Sequence, residues 1–202
     1  QDEYLLYAFR DRIKDIDLQN SAPRSSSFMA IFDRRKALLD FDYNRKTNYV
    51  YYISERSSQQ TITQITTSGL NKTSWPAELF LGKPNSLAID WISRNLFWSS
   101  TDSKSIHVMK MNSNFTIHKI ILGNSGKQTD VSFPTSLCLD PSKGLLYWTD
   151  KGSYDIPVKI GAVKMDGSDP QILVKDNMQT PGFLTKDPND PILYWSDGQL
   201  GK

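Results

Sequence analysis

Leu145-Leu146-Tyr147-Trp148-Thr149-Asp150 decides the reading of this chain, because the stretch recurs. Tyr194-Trp195-Ser196-Asp197 nearly repeats it. Phe97-Trp98-Ser99-Ser100 is a third copy, and Tyr51-Tyr52-Ile53-Ser54 is a fourth, degenerate one. The copies start at residues 51, 97, 147 and 194, so the spacings are 46, 50 and 47 residues. Their upstream context recurs too. An Asp stands seven residues before three of the aromatic pairs (Asp90, Asp140, Asp187), with a Leu three residues before each Asp (Leu87, Leu137, Leu184) and a Pro six before (Pro84, Pro134, Pro181). In the first copy Leu39 and Asp42 keep the Leu-to-Asp spacing, Lys36 takes the Pro position, and the Asp-to-aromatic distance grows to nine. A multi-part pattern held in register over a period of this length is the mark of a repeat architecture.

Within each repeat, short apolar runs alternate with Pro, Gly, Asn or Asp. Examples are Ser86 to Ile89, Leu96 to Trp98, Ile106 to Met111 and Thr116 to Leu122. Runs this short, rich in aromatic and β-branched residues, predict strands. Asp166-Gly167 predicts a hairpin turn in which both residues adopt positive φ. Four strands per repeat make one blade of a β-propeller. A helix over Phe28 to Leu39 is the local alternative, but Arg34 and Arg35 interrupt its apolar face and the repeat register places Ala37 to Phe41 in a strand.

Composition narrows the function. The 202 residues are 38% hydrophobic, 11% aromatic and 23% charged, which describes a folded domain. Twenty-four Lys and Arg stand against 22 Asp and Glu, a net charge of +2, without the basic excess that nucleic-acid binding requires. No apolar run reaches the roughly 20 residues needed to cross a bilayer. Cys138 is the single cysteine, so disulfides within the chain and cysteine-rich zinc sites are excluded. His107 and His118 are its two histidines.

These residues resemble the YWTD β-propeller of the low-density-lipoprotein receptor and its relatives. Ser86 to Trp98 is similar to a repeat that in that family often reads "LAVDW…RNLYWTD". Leu145 to Asp150 followed by Met165-Asp166-Gly167-Ser168 is similar to the family's strand pair, and Tyr4 to Asp11 through Asp17-Leu18 to its opening strand. The resemblance covers essentially the whole chain and implies an all-β, six-bladed propeller, seen here as about four to four and a half blades of one domain over residues 1–202. Two departures stand out. Ser100 replaces the motif Asp in one copy and Tyr52 the motif Trp in another, so those blades are expected to lack the usual polar contacts between blades.

Trp98, Trp148 and Trp195 are expected to fill space between blades, and Asp150 and Asp197 to be buried acceptors fixing loops and adjacent blades. Functional residues are sought in the loops at one face of a propeller. Charged and aromatic residues there are Arg34, Arg35, Lys36, Lys83, Phe133, Lys151 and Tyr154, a composition suited to an interface. No acidic groove is evident. Asn71-Lys72-Thr73 and Asn114-Phe115-Thr116 are glycosylation sequons. His107 and His118 are candidate pH sensors, since histidine charges between neutral and endosomal pH.

The resemblance implies a ligand-binding and architectural module of an endocytic receptor, contributing to ligand uptake and pH-dependent release. Its partners are expected to be lipoproteins or secreted proteins and neighbouring receptor modules, without nucleic acid or membrane insertion by this segment. The expected location is the surface ectodomain of a single-pass receptor that cycles through endosomes. No cofactor is expected here, with calcium placed in flanking EGF-like or ligand-binding modules. An extracellular-matrix or signalling-receptor (Wnt-coreceptor-like) propeller is the alternative. A propeller hydrolase or lactonase would need carboxylates with His or Asn on the inner strands. Those positions are Leu, Ala, Ile, Thr and Cys, so an enzyme is not expected. Six blades need about 270 residues, so the chain is expected to continue past Lys202 by about one and a half blades.

Overall fold

A computed structural model describes residues 4–9, 12–17, 36–44, 46–111, 118–187 and 189–199. They form five antiparallel sheets, in two compact units, Gln1–Pro76 and Ala77–Lys202. The first unit holds the hairpin of β1 (Tyr4–Phe9) and β2 (Arg12–Asp17) and a four-stranded meander of β3 (Ala37–Asn44), β4 (Tyr49–Arg56), β5 (Gln59–Thr66) and β6 (Thr73–Pro76). In the second unit, β7 (Pro84–Asp90), β8 (Asn95–Ser100), β9 (Ser105–Lys110) and β10 (His118–Leu122) form one meander. Another comprises β11 (Pro134–Asp140), β12 (Leu145–Asp150), β13 (Lys159–Lys164) and β14 (Gln171–Val174). The hairpin of β15 (Pro181–Lys186) and β16 (Leu193–Asp197) follows. Each four-stranded meander is one blade, as the repeat predicts. Ala37 to Phe41 is strand; residues 28 to 35 of the helical alternative lie outside the described residues. No helix among the described residues is long and apolar enough to cross a membrane.

The recurrent Asp closes the turn at the end of each innermost strand. Asp90 accepts the Ile92 and Ser93 amides at 3.0 and 3.1 Å, Asp140 the Ser142 hydroxyl and the Lys143 amide, and Asp187 the Asn189 and Asp190 amides. In the first repeat Asn44 does this, taking the Lys46 and Thr47 amides. The register explains it. Asn44 pairs with Tyr49 as Asp90 pairs with Asn95, so Asn44, seven residues before Tyr51, holds the position assigned to Asp42 from sequence. The nine-residue spacing reflects a misplaced alignment rather than an insertion. Of the Asp166-Gly167 pair only Gly167 takes a positive φ, +94°; the second positive φ of the β13–β14 turn is at Asp169, +53°. Asp166 serves through its carboxylate, which accepts the Ser168 amide at 2.8 Å.

Blades of the second unit are joined through their innermost strands. Ser86 Oγ accepts the Leu137 amide at 2.9 Å, and Ser136 Oγ accepts the Leu184 amide at 3.1 Å. One residue earlier, Asn85 Nδ2 donates to the Pro134 carbonyl at 2.7 Å and Thr135 Oγ1 to the Pro181 carbonyl at 2.8 Å. These contacts belong to the Pro-Asn-Ser-Leu and Pro-Thr-Ser-Leu stretches. The β7–β10 blade therefore keeps its polar contacts to the next blade although it lacks the motif Asp, contrary to the sequence expectation.

Apolar packing completes the joint. Phe97, Ile106 and Ile121 of one blade share a buried cluster with Leu137, Leu146 and Trp148 of the next. Trp98 and Trp148 are fully buried, whereas Trp195 is 40% exposed and Tyr194 53%. Trp195 does not fill an inter-blade space among the described residues, because its sheet has only two strands there. The first unit has its own core of Ile13, Val50, Tyr52 and Ile65.

A third-strand residue faces three of the motif aromatics. Tyr52 lies opposite Thr63, Trp98 opposite His107 and Trp148 opposite Gly161. A Cβ on Gly161 would stand 2.3 Å from the Trp148 ring. Gly161→Ala is expected to lower stability by about 1–3 kcal/mol through overpacking. Urea unfolding measures this, and an unchanged midpoint would contradict the packing argument.

Candidate functional site

The loops at one end of the second unit's blades are built from the motif outward. Asp150 is fully buried at the end of β12 and accepts the Ser132, Phe133 and Gly152 amides at 2.8, 2.8 and 2.7 Å. It thus fastens the loop entering β11 to the loop leaving β12. Asp197 repeats the arrangement, accepting the Gln179 amide at 2.8 Å and the Thr180 and Gln199 amides at 3.2 Å. Both carboxylates fix loops of their own blade.

A buried charge pair lies beneath this loop. Lys159 stands opposite Asp150 in the β12–β13 ladder, and its ammonium is 3.7 Å from the carboxylate with both side chains fully buried. Burial pushes the Lys159 ammonium below its usual range, against the pull of Asp150 and Asp130. The cross-strand partner changes with the motif residue. Ser54 faces Thr61, their hydroxyls 3.0 Å apart, and Ser100 faces Ser105. Charge meets charge where the motif carries Asp, and hydroxyl meets hydroxyl where it carries Ser. Nothing in a single sequence marks Lys159 as buried.

Of the residues expected on the ligand face, Arg34 and Arg35 lie outside the described residues. Lys36, in the first unit, donates to Thr61 Oγ1 at 3.4 Å. Three others share one loop cluster of the second unit. Phe133 is 44% exposed, and Lys151 Nζ lies 5.8 Å from its ring centroid, within cation–π range. The Lys151 amide donates to the Phe133 carbonyl at 3.0 Å. The loop then turns back, with Ser153 N donating to the Ile156 carbonyl at 2.8 Å. Ile156 is buried and Tyr154 stands wholly in solvent. Gly152 permits this turn, since its φ is +70° and a Cβ there would meet the Ile156 carbonyl at 2.5 Å. Lys83 is exposed immediately before Pro84, the place Phe133 holds before Pro134 one blade later.

The histidines occupy the β7–β10 blade. His107 is fully buried and stacks on Trp98 with ring centroids 4.8 Å apart. Its Nε2 is 2.7 Å from Ser105 Oγ and 3.2 Å from Ser103 Oγ, while Nδ1 has no partner among the described residues. His118 is exposed, 6.3 Å from the His107 ring. Of the two sequons, Asn71 is exposed in the β5–β6 turn and Asn114 lies outside the described residues. Among the described residues no group of three or more His, Cys, Asp or Glu could hold a metal ion. A cavity of about 400 Å³ opens in the second unit beside Tyr147, Lys164, Leu173, Lys186 and Leu193, and none of these candidates lines it.

Known proteins define the class first. The chain matches a solved β-propeller domain, Myceliophteria thermophila Cps50 (Swd1), at a TM-score of 0.57 and 8% identity over 98% of this chain and 64% of that one, a likeness of fold. It matches a chain of the nidogen/laminin complex at a TM-score of 0.77 and 26% identity, covering 96% of this chain and 70% of that one. It is therefore a β-propeller segment. Among curated proteins, the Drosophila melanogaster vitellogenin receptor Yl is 28% identical over 206 residues, 100% of this chain and 9% of the receptor. The Homo sapiens low-density lipoprotein receptor-related protein 5-like protein is 30% identical over 122 residues, 60% of this chain and 44% of that protein. The chain thus spans less than half the length of either. No protein-family model matches it. The resemblance to the YWTD propellers of low-density-lipoprotein-receptor-related proteins holds in sequence and in fold.

Two measurements probe this site. Asp150→Ala strands a buried ammonium and three amides and is expected to cost about 3–5 kcal/mol. Lys159→Met leaves Asp150 its three donors and is expected to cost less; equal losses in denaturant unfolding would refute the asymmetry. The second concerns pH. Burial, with His118 adding to it, pushes the His107 imidazole down to about 4 from 6.5. The unfolded chain therefore binds this proton more readily, and the stability that neutral His107 confers above about pH 6.5 is lost as pH falls toward 4. The slope is at most about 1.4 kcal/mol per pH unit. His107→Gln is expected to flatten this part of the stability–pH curve, and an undiminished slope would assign it to other groups.

Proposed function

We propose that this chain is part of a single six-bladed propeller in the ectodomain of a cell-surface receptor of the low-density-lipoprotein-receptor-related type. It binds a lipoprotein or secreted protein and contacts neighbouring receptor modules. The observation that carries this reading is the cluster of Phe133, Lys151 and Tyr154, two exposed aromatics and a cation on loops tied down by Asp150. Rigid aromatic anchors with charged neighbours are the usual make-up of a protein-binding hot spot. The named relatives support the receptor class. Their receptor character also favours a binding module over an enzyme.

Endocytic uptake followed by release in acidic endosomes completes the proposal. Its support is His118, an exposed histidine in a blade joined to the one carrying Phe133, whereas buried His107, pushed down to about 4, stays neutral in that range. Calcium is assigned to flanking modules. A second reading, a propeller that binds a fixed partner outside the cell, is favoured by the likeness to the nidogen/laminin complex.

The test is uptake of fluorescent lipoprotein by cells bearing the full receptor. Phe133→Ala with Tyr154→Ala is expected to weaken binding about tenfold or more, the effect of losing about 1.4 kcal/mol or more. Bound particles are expected to leave the unaltered receptor as pH is lowered to about 5.5, within the range where an accessible histidine gains charge. Normal surface expression with unchanged uptake by the double variant would remove the aromatic cluster from the binding face. Retention at low pH would separate binding from endosomal release.

A further inference from the structure

We infer that Asn71 is an N-glycosylation site, and that its glycan covers the tip and free edge of the first unit's blade; this rests on the extracellular reading above. Asn71-Lys72-Thr73 has the hydroxyl residue two positions on and no proline between. The structure adds accessibility. All three residues are exposed, in the turn joining β5 to β6 and at the first residue of β6. Asn71 has φ +50°, a left-handed conformation that Asn tolerates. It stands just past a turn closed by backbone bonds from Gly69 N to the Thr66 carbonyl and from Thr66 N to the Leu70 carbonyl. Its carboxamide has no partner among the described residues.

The surroundings give the sugar a physical role. Leu70, next to Asn71, is 68% exposed. The strand that Thr73 opens is the last in the order β3-β4-β5-β6. An exposed apolar tip beside an edge strand is an aggregation liability that proteins blunt by covering it. A bulky hydrophilic glycan would cover both. It would also leave the candidate loops of the same sheet free. The Thr67 amide donates to the Asn48 carbonyl at 3.0 Å, which places the β5–β6 turn at the β3–β4 end of the blade. Lys36 and the β4–β5 turn lie at the other end, where Ala37 pairs with Glu55.

The covalent step uses a lipid-diphosphate-linked oligosaccharide as co-substrate of the secretory pathway's transferase. Asn71 Nδ2 attacks the anomeric carbon, and the new C–N bond replaces the C–O bond to diphosphate. The lipid diphosphate leaves, and the amide nitrogen loses one proton.

The full-length protein, made in eukaryotic cells, is treated with peptide N-glycosidase and its Asn71 peptide read by mass spectrometry. Conversion of Asn71 to Asp on deglycosylation is expected. Loss of the modification is expected in both Asn71→Gln and Thr73→Ala, and its retention in Thr73→Ser, which keeps the hydroxyl. An unmodified Asn71 in the unaltered protein overturns the proposal. Surface biotinylation of the same cells then tells which premise failed: labelled protein faults the site alone, and unlabelled protein faults the extracellular reading as well. Loss in Asn71→Gln but not in Thr73→Ala would also overturn it, since the sequon hydroxyl would then play no part.

Discussion

Adjacent blades of a propeller do not share a hydrogen-bond ladder, and that constraint shapes the rest of the fold. Innermost strands lie side by side in the second unit yet belong to separate sheets. Their buried amides and carbonyls must still find partners, because an unsatisfied buried group costs about 1–3 kcal/mol. Short polar side chains supply them. Ser86 reaches Leu137, Ser136 reaches Leu184, and Asn85 and Thr135 reach the next proline carbonyl. The hydroxyl is short enough to bond a neighbouring strand without holding the apolar faces apart. The same residues thereby allow Trp148 and Leu137 to close on Phe97 and Ile106.

The motif Asp works at right angles to that joint. Asp150 and Asp197 gather the loops at one end of their own blades, each accepting backbone amides from both sides. Three donors and a buried ammonium satisfy Asp150, which is how a carboxylate persists among fully buried residues. The second repeat substitutes smaller devices. Asn85 Oδ1 accepts the Thr101 amide, Ser100 Oγ accepts the Ser103 amide, and the Trp98 indole donates to the Leu81 carbonyl. Different residues thus secure the same loops. The exposed groups above them, Lys83 in one blade and Phe133 with Lys151 in the next, are free to differ.

Much of the fold was legible because a propeller repeats one solution. The Leu, Asp and aromatic positions fell on the innermost strand, its terminal turn and the second strand. The first repeat misled because Asp42 imitates the spacing that Asn44 fulfils, and only the pairing of Asn44 with Tyr49 separates them. Less of the candidate site was legible. Phe133, Lys151 and Tyr154 lie in loops, but the cation's position over the ring and the outward Tyr154 depend on Gly152 and Ile156, whose roles are geometric. His107 was a candidate pH sensor by residue type alone; its burial and its stacking on Trp98 follow from cross-strand register.

The sequence by itself determined the class of fold, the period of its blades, the spacing of the recurrent Leu, Asp and aromatic residues and the sequon at Asn71, since each depends on residue type at fixed local spacing. Tertiary structure alone decided which polar residues are buried and whom they meet. Ser86 with the Leu137 amide, Lys159 with Asp150 and Gly161 beneath Trp148 join residues from different strands or blades. Burial and partner are set by strand pairing and blade packing, and neither is encoded in the spacing of neighbours along the chain.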